Sequence, residues 1–156
     1  MAIKINTEKR IFTLETKHTM YQMQADTYGV LRHLWYGAKT GCDMSYLQDY
    51  PDVGFSGNPH DAGNDRTYSL DTLPLEYAGA GIGDFRVPAV EAVHADGSCA
   101  LDLRYYSHTV KQGKYAIAGL PALYAGEDEA ETLEVVLRDT ASAGEGTLKY
   151  GVLPEL

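Results

Sequence analysis

The stretch IKINTEKRIFTLETKHTMYQMQA, residues 3–25, holds three short runs of alternating side chains: Ile3 and Ile5, then Phe12 and Leu14, then Tyr21, Met23 and Ala25. Successive side chains of an extended strand point to opposite faces, so a period of two marks a sheet with one buried face. Charged and turn-prone residues separate the runs, which predicts three strands. Working outward, Tyr28 to Lys39 is denser in apolar residues (Val30, Leu31, Leu34, Trp35, Tyr36) and reads as a strand covered on both faces and ended by Gly37. Alternation returns in Phe85 to Ala95 and Ala100 to Val110, which flank Asp96-Gly97, a dipeptide suited to the positive φ angles of a tight hairpin. Tyr115 to Leu120, Thr132 to Asp139 and Thr147 to Leu153 bring the count to about nine strands. The predicted fold class is all-β: an antiparallel β-sandwich of two sheets, about nine strands with one long irregular loop.

The chain has 156 residues, the usual size of one domain, and 1–156 reads as a single unit without repeats or Pro-rich linkers. Its 22 acidic residues outnumber 13 basic ones, for a net charge of -9 at pH 7. That balance opposes attraction to a phosphate backbone or an anionic membrane, so neither nucleic acid nor membrane is expected as a partner. No apolar run approaches the roughly 20 residues that span a bilayer. Met1 to Arg10 lacks the apolar core of a signal peptide, and the expected location is cytoplasmic. The last predicted strand runs almost to Leu156 with no helix or charged edge to blunt it. This predicts the front part of a longer protein, or an edge covered by another subunit.

Candidate chemistry is sparse. Cys42 and Cys99 cannot form a disulfide framework or a four-thiolate zinc site. The five histidines (His18, His33, His60, His94, His108) lack the i, i+2 or i, i+4 spacing of paired ligands, so no metal is expected. Gly79-Ala80-Gly81-Ile82-Gly83 superficially resembles a dinucleotide fingerprint, but the following segment reads as strand and not helix, so it is a glycine-rich turn and no cofactor is predicted. The Glu127 to Glu131 run lacks the residue order of a calcium loop, and no serine sits in a nucleophile elbow.

The segment 41–83 stands out. It is rich in Gly, Asp, Asn, Pro and Tyr, with at most a short strand around Thr67 to Leu70, and long irregular loops inside compact domains are usually functional or disordered. It gathers Asp52, Asn58, His60, Asp61, Asn64, Asp65 and Arg66 among Tyr50, Phe55 and Tyr68. Carboxylate and guanidinium groups beside aromatic faces can hold vicinal hydroxyls while a ring stacks on a sugar. The competing reading is an Asx-turn loop in which Arg66 merely pins neighbouring carboxylates. Composition leaves both open.

The motifs themselves carry a resemblance. Asp65-Arg66-Thr67-Tyr68-Ser69-Leu70-Asp71-Thr72-Leu73-Pro74-Leu75-Glu76-Tyr77, then Gly83-Asp84-Phe85-Arg86-Val87-Pro88-Ala89, Asp96-Gly97-Ser98, Asp102-Leu103-Arg104-Tyr105, Gly119-Leu120-Pro121-Ala122 and Ala130-Glu131-Thr132-Leu133-Glu134 follow in order. Over Ile11 to Tyr150 the chain resembles the N-terminal domain of bacterial α-galactosidases of glycoside hydrolase family 36. The resemblance implies part of a β-supersandwich preceding a catalytic (β/α)8 barrel in a retaining enzyme. The family's Lys-Trp-Asp and Asp-Asp-Gly-Trp motifs do not occur here, and the sole tryptophan, Trp35, precedes Tyr36, so no catalytic residue is expected in this chain. In tetrameric members the long loop reaches into a neighbouring subunit's active site. By motif, the implied substrate-binding residues are Asp52 and Arg66, and the implied partners are a galactose-containing oligosaccharide, the barrel of the same enzyme and further copies in a homo-oligomer. The rival expectations are a free-standing carbohydrate-binding sandwich and a purely structural assembly module.

Overall fold

A computed structural model describes residues 2–48, 60–122, 124–126, 128–142 and 144–152. Strands β1 (Ile3–Asn6), β2 (Ile11–Glu15), β3 (Thr19–Ala25) and β4 (Leu31–Ala38) form one antiparallel sheet in sequential order. Strands β5 (Leu103–Gln112), β6 (Glu131–Asp139) and β7 (Glu145–Val152) form a second. The apolar side of each alternating run meets the other sheet: Ile3, Phe12, Leu14, Met23, Ala25 and Leu31 pack with Leu133, Val135, Leu137 and Val152 in one core. Burying these faces against each other is the dominant stabilisation of the sandwich. The Glu131 carboxylate ties the layers at one end by accepting the backbone N–H groups of Ala2 and Ile3 at 2.8 and 2.9 Å.

The pattern has one interruption in each sheet. Gln22 pairs with Trp35 and Met23 with His33, so Leu34 is an extra residue of β4. Without that bulge, Tyr36 and His33 would point to opposite faces. With it, both join Tyr21 on the same side, and Leu34 packs behind the sheet with Ile11, Met20 and Met44. In β5, Tyr106 is the residue left over between the Tyr105–Leu137 and Ser107–Val136 pairs. Its ring lies outside, 3.4 Å below the Arg138 guanidinium.

The described residues hold seven strands, against the nine expected. The two missing strands are Phe85 to Ala95 and Tyr115 to Leu120, and the short strand allowed around Thr67 to Leu70 is absent as well. The Asp96-Gly97 turn forms: His94 N–H donates to the Ser98 carbonyl at 2.8 Å and Gly97 takes a φ of +85°. Its flanks, however, do not pair as a ladder. They bond instead to the glycine-rich turn, with Leu101 N–H donating to the Ala80 carbonyl and Val90 bridging Gly79. Phe85 and Val87 are 85% and 94% exposed, so the start of the first flank buries no apolar face. Thr67 to Leu70 turns rather than extends, and Tyr115 to Leu120 is irregular after the positive φ of Gly113.

The described parts of the expected long loop, 41–48 and 60–83, are better ordered than its composition suggests. Its described parts contain two short 3-10 helices, Ser45–Gln48 and His60–Ala62. Val30, Ala62, Tyr68, Leu70 and Leu73 form a second small core. Pro74 to Glu76 then lies along the open edge of β4: His33 N–H donates to the Pro74 carbonyl and Glu76 N–H to the Leu31 carbonyl. Covering an edge strand in this way removes a template for pairing with another chain. No described helix is long and apolar enough to cross a membrane, a statement that does not extend to strands.

Candidate functional site

The candidate site is the segment that follows His60–Ala62 and carries Arg66. Locally its shape comes from short-range polar contacts. Gly63 adopts a φ of +58°, which bends the chain after the 3-10 turn at little steric cost. Asp65 then forms an Asx turn, its carboxylate accepting the Thr67 N–H at 3.0 Å and the Thr67 hydroxyl at 2.6 Å. These bonds favour the ionised carboxylate and hold it below the usual range. Arg66, between Asp65 and Thr67, is exposed, and so are His60, Asp61 and Asn64.

Immediately beyond, the chain dives into the protein. Tyr68 is 7% exposed and Ser69 is fully buried. The Tyr68 hydroxyl donates to the Asp26 carboxylate at 2.6 Å, and its ring meets Tyr28 edge-on at 4.7 Å. Asp26 is itself fixed, with its other oxygen accepting the backbone N–H groups of Tyr28 and Val30 at 2.9 Å. Arg32 Nε stands 3.5 Å from the same Asp26 oxygen that Tyr68 uses, as an ion pair without a good hydrogen bond. Tyr68 is therefore a structural anchor, and it does not offer its face to a ligand as the sequence reading allowed.

A second anchor is Arg104 on β5. Its guanidinium donates to Asp102 at 2.6 Å and to the Tyr28 carbonyl at 2.9 Å, and approaches Asp61 at 3.9 Å. Arg104 thereby ties the β3–β4 connection to the second sheet and stands close to the 3-10 turn before Arg66. Beside it opens a groove of about 540 Å³ that includes His60, Asp61 and Asp102 in its walls. Farther along, Arg86 binds both Asp84 oxygens and donates to the Leu70 and Leu73 carbonyls, fixing the downstream end of the segment.

Of the two residues that motif matching selects, Arg66 lies at the surface of this anchored segment, whereas Asp52 lies outside the described residues. So do Tyr50, Phe55 and Asn58. The buried Asp26 and the half-buried Arg32 and Arg104 that hold the segment were not selected by sequence reasoning. Their signal is faint, because each gains meaning only from partners far away in the chain.

Three tyrosines share one electrostatic feature. Burial, and next the Glu76 carboxylate, pushes the Tyr21 and Tyr150 hydroxyls above their ordinary range; burial and Asp26 do the same for Tyr68. A folded-state pKa above the unfolded value means stability that is present below about pH 10 and lost as pH rises beyond it. Denaturant midpoints measured between about pH 8 and pH 11 are expected to fall steeply above pH 10. The fall should be shallower in Tyr68→Phe, and a flat profile would contradict this account.

The fold and the segment together define a class: an all-β sandwich domain that presents an anchored polar loop. Residues 29–156 match the glycosyl hydrolase family 36 N-terminal domain, and the chain belongs to that family. It is 52% identical over 155 residues to the bifunctional alpha-galactosidase/sucrose kinase AgaSK of Mediterraneibacter gnavus, covering 99% of this chain and 17% of that protein. It is 41% identical to the alpha-galactosidase AgaA of Geobacillus stearothermophilus, covering 96% of this chain and 21% of that protein. The solved galactosidase domain of AgaSK superposes with a TM-score of 0.94 over 99% of this chain and 21% of its own. A variant of AgaA solved in complex with raffinose gives a TM-score of 0.85 at 39% identity, over 93% of this chain and 20% of its own. The chain thus spans about a fifth of the length of these relatives.

Proposed function

We propose that the chain serves as the non-catalytic N-terminal domain of a retaining, cytoplasmic α-galactosidase acting on terminal α-galactosides of the melibiose and raffinose type. In this reading the 41–83 loop supplies a substrate contact, Arg66 and Asp52 hydrogen-bond sugar hydroxyls, and the sandwich contributes to contacts between copies and with a (β/α)8 catalytic domain. Support comes from membership of the family and from the raffinose held by a relative 39% identical in sequence.

The observation that carries the loop assignment is the placement of Arg66: an exposed residue on a segment whose two ends are fixed to the sandwich. Guanidinium groups donate several hydrogen bonds in a planar fork, which suits pairs of neighbouring hydroxyls. A contact outside the galactose being cleaved affects only substrates long enough to reach it. In the full-length enzyme, Arg66→Ala is therefore expected to raise KM for raffinose by about tenfold, the loss of one or two charge-assisted hydrogen bonds. The KM for a small aryl galactoside should change far less. Equal effects on both substrates would make Arg66 a loop-structuring residue and overturn the assignment.

A further inference from the structure

We infer that Tyr68 and Asp26 are positioning residues for substrate binding, acting through Arg66. The inference rests on the reading of Arg66 as a sugar contact and adds to it the device that holds that contact in place.

Consecutive Cα atoms are about 3.8 Å apart, so Arg66 cannot move far from wherever Tyr68 is fixed. Tyr68 has one hydroxyl bond, 2.6 Å to a carboxylate that is only 4% exposed. That carboxylate cannot turn away, because its other oxygen already receives two backbone N–H groups at the β3–β4 connection. On the upstream side, Asp65 closes its own turn onto Thr67, so the three residues from Asp65 to Thr67 move as one bend. The Tyr68 hydroxyl restrains this bend on its downstream side; upstream, Ala62 is buried in the same small core as Tyr68, and Asp61, 63% exposed, stands 3.9 Å from Arg104, a weak tether in water.

A side chain held ready for its ligand loses less conformational freedom on binding, so a loosened bend weakens affinity without touching the reacting bond. Loss of the Tyr68 hydroxyl should accordingly appear in KM for oligosaccharides and not in kcat. Replacing Tyr68 with Phe keeps the ring packed on Tyr28 and removes only the bond to Asp26.

The test is a double-mutant cycle in the full-length enzyme with raffinose as substrate. Tyr68→Phe is expected to raise KM by about fivefold, the effect of one lost buried hydrogen bond, with kcat within about twofold. In an Arg66→Ala background the same change should add almost nothing, because the residue it positions is gone. Additive effects, or a drop in kcat equal for raffinose and an aryl galactoside, would overturn the inference and leave Tyr68 a residue of general stability. If Arg66→Ala alone leaves the raffinose KM unchanged, the sugar-contact reading fails instead, a different result from an active Arg66 with a silent Tyr68. Asp26→Asn serves as a second entry into the cycle if Tyr68→Phe does not fold, and the same non-additivity with Arg66→Ala is required of it.

Discussion

Replacing Glu76 with alanine is expected to lower the melting temperature of the domain by about 8 °C, the consequence of roughly 3 kcal/mol in a chain of this size. Glu76 sits between the two sheets with its side chain 8% exposed. Tyr21 of β3 donates its hydroxyl to the carboxylate at 2.5 Å from one oxygen and 2.6 Å from the other. Tyr150 of β7 donates at 2.9 Å, and His33 Nδ1 of β4 stands at 3.6 Å. One carboxylate therefore satisfies hydroxyls from both layers, and removing it strands two half-buried phenols at once. The arrangement makes a specific order of effects. Glu76→Gln retains an acceptor oxygen and should cost about half as much as the alanine change, whereas Tyr150→Phe in the Glu76→Ala background should cost almost nothing further. Thermal unfolding of these three variants and of Tyr150→Phe alone checks this, and independent, additive losses would mean that the cluster does not act as a unit.

A second large effect is expected at Gly79. A Cβ built there would lie 2.1 Å from the Leu101 carbonyl oxygen, and that carbonyl belongs to the segment leading into β5. The neighbouring backbone has little room to yield, because Leu101 N–H is bonded to the Ala80 carbonyl and Asp102 N–H to the Asp139 carboxylate at 2.9 Å. Gly79→Ala should therefore destabilise by about 3 kcal/mol, the upper range for an overpacked site. Gly146 in β7 provides the control: it has no positive φ and open space where a Cβ would go, so Gly146→Ala should be neutral or slightly stabilising. Chemical denaturation of both variants measures the contrast directly. Similar stabilities for the two would show that the approach of Gly79 to Leu101 relaxes easily.

The glycine-rich turn illustrates how the two levels of description meet. Its sequence context excludes a dinucleotide site, since no helix follows. What the glycines do is visible only in the fold, where the absence of a side chain at Gly79 lets two irregular segments touch. The stretch Phe85-Arg86-Val87 shows the reverse problem. Its alternation predicts a strand, yet the residue that is held is Arg86, by Asp84 and by the carbonyls of Leu70 and Leu73. Unpaired carbonyl groups of a distant turn outcompeted hydrophobic periodicity because a guanidinium can satisfy several acceptors at once.

The candidate site divides in the same way. Arg66 is a candidate because it belongs to a dense run of motif residues, Asp65 to Tyr77, that matches the family pattern. The residues that hold it were not legible, because Asp26 and Tyr68 are 42 positions apart and neither is unusual in its own surroundings.

By itself, the sequence determined the all-β class, the early meander of β1 to β3, the single apolar face of β6 and the family, because period-two alternation and contiguous motifs are local properties. Only the tertiary structure decided which irregular segments are ordered, which tyrosines are anchors, and how the long segment is fixed to the sandwich. Those outcomes depend on carboxylates and guanidiniums meeting partners far away in the chain, and such pairings leave no periodic trace in the order of the residues.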